Sequence, residues 1–162
     1  MKIFVTSISI FFAQVAFSME LAAFDSAVIE NYVVEKERIL KAGEYKNARR
    51  FMEGDLTRDG VSDLAMLYTL EGIGGGGNNY SFFLAVFEKT ADGIKFIADA
   101  KVGGKITRSL SFESIEDGTM TFNTKFIWKN DALCCPSGSG KAFYTLNHRQ
   151  KKLNELNTAP KP

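Results

Sequence analysis

Apolar side chains recur along this chain in two rhythms. From Leu21 through Ala22, Phe24, Ala27, Val28, Tyr32 and Val33 they return at spacings of one, three and four, among Glu30, Glu35, Lys36, Glu37 and Arg38. That period predicts an amphipathic helix to about residue 40, with Gly43 as its C-terminal stop and its apolar side laid on a sheet. From Arg49 onward the rhythm shortens to that of strands, with β-branched and aromatic residues in brief runs between Gly, Asp and Asn. Six runs qualify, at residues 62–70, 81–88, 94–101, 106–115, 119–128 and 141–147.

Asp92-Gly93 and Asp117-Gly118 separate neighbouring runs and suit tight hairpins, because both can supply positive φ angles. Connections this short force antiparallel neighbours. The expected fold is therefore α+β: an N-terminal helix on an antiparallel meander of about six or seven strands. In 119–128, Met120, Phe122, Thr124, Phe126 and Trp128 fall on one side and Thr121, Asn123, Lys125 and Ile127 on the other, as in a strand with one buried face. The unbroken apolar run 82–87 predicts a central strand covered on both faces, with the helix as one cover.

The first 18 residues stand outside this pattern. Lys2, an apolar run over 3–12 and small residues at Ala16 and Ser18 have the order of a cleavable signal peptide, shorter than the about 20 apolar residues of a membrane span. An uncleaved anchor is the rival. The chain then divides into a leader, a single domain over 19–156 and a disordered polar tail over 157–162, and the mature protein is periplasmic or secreted with no transmembrane segment. Of 20 basic and 19 acidic residues the leader holds one lysine and no acid, which leaves the mature chain near neutrality. Nucleic acid, which calls for a concentrated basic surplus, is an unlikely partner.

One segment carries candidate metal chemistry. Asp55, Thr57, Asp59 and Asp63 place side-chain oxygens at positions one, three, five and nine of a short loop, Val61 offers its backbone carbonyl at position seven, and Gly60 permits the bend. Calcium takes about six to eight oxygens in flexible geometry and suits such a loop. The alternative is a solvated acidic turn between strands. The stretch Gly54-Asp55-Leu56-Thr57-Arg58-Asp59-Gly60-Val61-Ser62-Asp63-Leu64-Ala65 resembles the aspartate loop of FG-GAP and VCBS-type repeats, which joins two strands and often binds calcium. Arg58 departs from the small residue usual there. More broadly, this single loop, Gly77-Asn78-Asn79-Tyr80 and Cys134-Cys135-Pro136-Ser137 resemble a group of small exported bacterial proteins without an established activity, over about residues 50–148.

Cys134 and Cys135 are the only cysteines, and export would take them where disulfides persist. Adjacent Cα atoms lie about 3.8 Å apart, against about 4.4–6.8 Å in ordinary disulfides, so a bond between them would be strained and easily reduced. A vicinal disulfide, two thiols and a bond to another chain stay open, as brace or redox switch. The single His148 and two adjacent thiolates do not make a zinc site. Residues 73–79 and Ser137-Gly138-Ser139-Gly140-Lys141 imitate anion-binding loops but read as flexible loops, since Ala142 stands where a phosphate loop needs Ser or Thr. Glu113 and Glu116 read as solvent-facing. The expected function is non-enzymatic binding of a small ligand, an envelope component or another protein. The competing class is a periplasmic enzyme, either a thiol/disulfide redox protein using Cys134 and Cys135 or a hydrolase.

Overall fold

The computed structural model describes residues 25–128, 130–132 and 135–156. The leader, the tail and Cys134 lie outside them. A helix α1 spans residues 25–40. Among the described residues nine strands follow: β1 (Gly43–Glu44), β2 (Arg50–Gly54), β3 (Asp63–Glu71), β4 (Tyr80–Thr90), β5 (Gly93–Gly104), β6 (Arg108–Glu116), β7 (Thr119–Phe126), β8 (Gly138–Asn147) and β9 (Lys152–Leu156).

All pairings are antiparallel between chain neighbours, as the hairpin signals predict, except that β1 and β2 share one edge of β3 and that β5 and β6 do not pair. The expected single meander is thus cut in two. Sheet A has the order β1-β3-β4-β5 with β2 also on β3, and sheet B has the order β6-β7-β8-β9. The cut has a local cause. In β5 the register slips twice, between the partners of Phe82 and Phe83 and of Val86 and Phe87, and each bulge adds coil to the strand. Beyond the second slip Gly103 lies so close to β6 that a Cβ there would sit 2.4 Å from the Arg108 carbonyl oxygen.

Three layers result. Leu67 of β3 and Leu84 and Val86 of β4 point towards sheet B, where they meet Met120 and Phe122 of β7 and Ala142 and Tyr144 of β8. Met66, Tyr68, Phe83, Ala85 and Phe87 point the other way and are covered by Ile29 and Val33 of α1. The unbroken run in β4 is therefore a central strand covered on both faces. In β7 Met120, Phe122, Thr124 and Phe126 are buried as the alternation predicts, but the strand ends at Phe126 and Trp128 is exposed. The short strands β1, β2 and β9, with five residues or fewer each, lie outside the expected runs.

Gly43 does not stop the helix. Lys41 takes the left-handed conformation at φ 48, and the Ala42 amide returns to the Glu37 carbonyl at 3.0 Å, a Schellman-type end. The glycine-rich loop completes it: Gly74 N donates to Leu40 O and Gly75 N to Lys41 O, each at 2.9 Å. Those amides are spent on helix carbonyls and are not offered to an anion. Likewise Gly138 and Gly140 lie within β8, not in a loop. The helix is fixed to sheet A by the Tyr32 hydroxyl, which bonds the Tyr68 hydroxyl and donates to Asp99, each at 2.9 Å, and by the Lys36–Asp99 ion pair. Burial pushes both tyrosines above their ordinary pKa.

Candidate functional site

The acidic loop connects β2 to β3. The structure brings its aspartates together on backbone amides. Asp55 accepts from Arg58 N at 2.6 Å, Asp59 N at 3.2 Å and Gly60 N at 3.0 Å. Asp63 is fully buried at the start of β3 and accepts from Leu56 N at 2.9 Å, Thr57 N at 2.8 Å and, across the sheet, Lys89 N at 3.1 Å. Asp59 accepts from Val61 N at 2.8 Å.

Asp63 is turned into the protein, whereas Asp55 and Asp59 are held by local amide bonds that leave carboxylate lone pairs open towards solvent. Thr57 Oγ1 is buried without a hydrogen-bond partner. Among the described residues no group of three or more His, Cys, Asp or Glu is placed to hold a metal ion. The loop residues Asp55, Thr57, Asp59, Val61 and Asp63 thus share one short connection, with Asp63 buried and Asp59 and Val61 exposed. From within the loop, Arg58 at φ 64 reaches over to donate to the Asp117 carbonyl at 2.8 Å. It closes one wall of a cleft of about 570 Å³ beside Asp55 and the β6–β7 turn.

Of the two cysteines only Cys135 is described. It is exposed, and its amide donates to the Ala132 carbonyl at 2.9 Å. Asp131 organises this stretch by accepting from Ser137 N, Ser137 Oγ and Trp128 N, each at 2.8 Å. Those hydrogen bonds, the one from the Ser137 amide first, hold its carboxyl below the usual range. His148 is exposed with Nε2 3.5 Å from Glu88, and Glu113 pairs with Lys141.

A second feature carries no sequence motif. Where β2 runs over β6, an open trough of about 420 Å³ lies between the sheets, lined by Phe51, Leu67, Phe82, Leu110 and Phe112 with Arg50 at its rim. It exists because the edge of sheet A is broken. β1 and β2 are too short to cover β3 together, and a 3₁₀ turn over Lys46–Ala48 lifts the chain away between them. Phe51 is thereby left 48% exposed. Arg50 folds back to donate to the Asn47 and Arg49 carbonyls at 2.8 and 2.7 Å, and so stands beside the opening. A cavity with aromatic walls and few polar groups takes small apolar ligands. The signal in the sequence was Phe51 itself, in the short apolar pair Phe51-Met52 between Arg50 and Glu53.

No protein-family model, no curated protein and no solved structure matches this chain.

Proposed function

We propose that this chain is an exported, non-enzymatic binding domain, associated with the cell envelope, that holds a small apolar ligand in the trough between its sheets. The observation that carries the reading is the trough: Phe51, Phe82 and Phe112 line an opening left by a discontinuous sheet edge, with Phe51 nearly half exposed. Leaving about half of a phenylalanine side chain in water forgoes burial of roughly 1 kcal/mol, which an apolar ligand would restore. The leader-like first 18 residues support export, and fusion of this segment to a reporter enzyme active only outside the cytoplasm tests that part separately.

The binding reading is tested by titrating the chain from Met19 with medium-chain fatty acids and following amide chemical shifts. Shifts clustered on Phe51, Leu110 and Phe112, and lost in Phe51→Ser, support it. Saturation with no shift there would make the trough only a packing gap.

A second reading is a thiol/disulfide protein, favoured by the exposure of Cys135 on the segment before β8. Cys134→Ser separates the two, since a thiol enzyme loses its activity outright and a binding domain keeps its ligand.

A further inference from the structure

The connection from β5 to β6 contains an anomaly. Thr107 N donates to the Gly104 carbonyl at 3.2 Å, the Thr107 hydroxyl reaches the same oxygen at 2.9 Å, and Lys105 N donates to the Tyr80 carbonyl at 3.1 Å. The four-residue turn is closed by these bonds, and its third residue, Ile106, sits at φ 60. Turns with positive φ at this position take glycine or asparagine, and a β-branched residue there is strained. Burial does not compensate: Ile106 is 65% exposed, the most exposed large apolar side chain among the described residues. Folding gains nothing from a residue both strained and apolar in water, and strain of this kind gathers at functional positions.

Its surroundings suggest what it meets. Ile106 overhangs a cleft of about 330 Å³ whose lining includes Ile73, Tyr80, Lys101 and Lys105 and, among the described residues, no acidic one. Tyr80 is 36% exposed. Lys105 is held at the tip by its bond to the Asn78 carbonyl, and the loop carrying Ile73 is fixed by its amide bonds to the end of α1. An aliphatic tip, a tyrosine beside it and paired lysines without an acid match the layers of an anionic bilayer surface: acyl boundary, headgroup level and phosphate.

We propose that this tip docks the protein on an anionic phospholipid surface, with Ile106 inserted and Lys101 and Lys105 against the phosphates. A fluid surface can close around two adjoining turns, whereas a stable protein partner needs an extended patch of roughly 1,000 Å². The inference stands on Ile106 and its neighbours and is independent of what the trough holds.

The test is sedimentation of the full chain with vesicles of phosphatidylcholine, with and without phosphatidylglycerol. The wild type is compared with Ile106→Gly and with the double variant Lys101→Glu/Lys105→Glu. Residues 1–18 are apolar enough to bind vesicles by themselves, so each comparison is also made with the chain from Met19. Glycine relieves the positive φ, so Ile106→Gly should melt at the same or a higher temperature while its partition onto anionic vesicles falls about tenfold. The double variant should lose the preference for anionic over neutral vesicles. The proposal is overturned if Ile106→Gly binds like the wild type, or if the wild type does not distinguish the two vesicles. It is equally overturned if soluble dodecyl phosphate occupies the tip while vesicles do not, which would make the cleft a small-molecule site.

Discussion

Asp63 shows how much one side chain can settle. Its buried carboxylate takes three amides, two from the acidic loop and one from the end of β4, and thus ties the loop to the central strands. Replacing it by alanine leaves those amides without their acceptor at a largely buried position. Asp63→Ala should lose about 3–5 kcal/mol in urea unfolding. With Asp63 buried on those amides and turned away from Asp55 and Asp59, the melting temperature of the wild type should be equal in chelator and in added calcium. A calcium-dependent rise, abolished by Asp59→Ala, would show that the loop opens to bind metal, since a ligand of the folded state must stabilise it.

At the scale of elements, glycines mark where strands touch and where they do not. A Cβ on Gly103 would strike the Arg108 carbonyl oxygen at 2.4 Å and Leu110 at 2.8 Å, whereas one on Gly76 would meet nothing within 4 Å. Gly103→Ala should therefore destabilise by about 1–3 kcal/mol by wedging β5 from β6. Gly76→Ala should be neutral within about 0.5 kcal/mol. Denaturation of the two variants side by side checks both, and an unharmed Gly103→Ala would mean that the junction between the sheets is looser than its contacts imply. The glycine-rich loop was legible as a loop. Its use in capping α1 was not, because the partner carbonyls of Leu40 and Lys41 lie more than thirty residues earlier in the chain.

For the whole molecule, the two sheets are stapled at one end by Arg108. Its Nε donates to the Val102 carbonyl of β5 at 2.7 Å, and its other nitrogens to Glu155 of β9 at 2.6 and 2.8 Å and to the Tyr144 hydroxyl at 2.6 Å. Arg108 holds the Glu155 carboxyl below its ordinary pKa, and Arg49 does the same for Glu30 on α1. Depressed carboxyl pKa values contribute stability that is complete above the unfolded value, near 4.3, and is lost as pH falls through the lower folded values. The melting temperature should accordingly drop below about pH 4.3, and Glu155→Gln should flatten that fall at the cost of some stability at neutral pH. An acid limb of the same steepness in the variant would sink the assignment. The effect is modest, because both acids are partly open to solvent.

Local periodicity was enough to determine the helix, the long strands and their antiparallel order, and it placed the central strand between two covers, since an unbroken apolar run such as Phe82-Phe83-Leu84-Ala85-Val86-Phe87 can be buried in no other way. The pattern of oxygens in the acidic loop was equally plain, but a pattern states which groups are available and not what they face. Whereas Asp55 is held by amides within its own loop, tertiary structure buried Asp63 against amides that include Lys89 N of β4. It also split the meander at β5, because bulges and the close approach at Gly103 depend on pairing register, and register joins residues distant along the chain. Both proposed surfaces arose at that level. The trough between β2 and β6 and the tip at Ile106 are made by segments that meet only when two sheets and a helix are stacked.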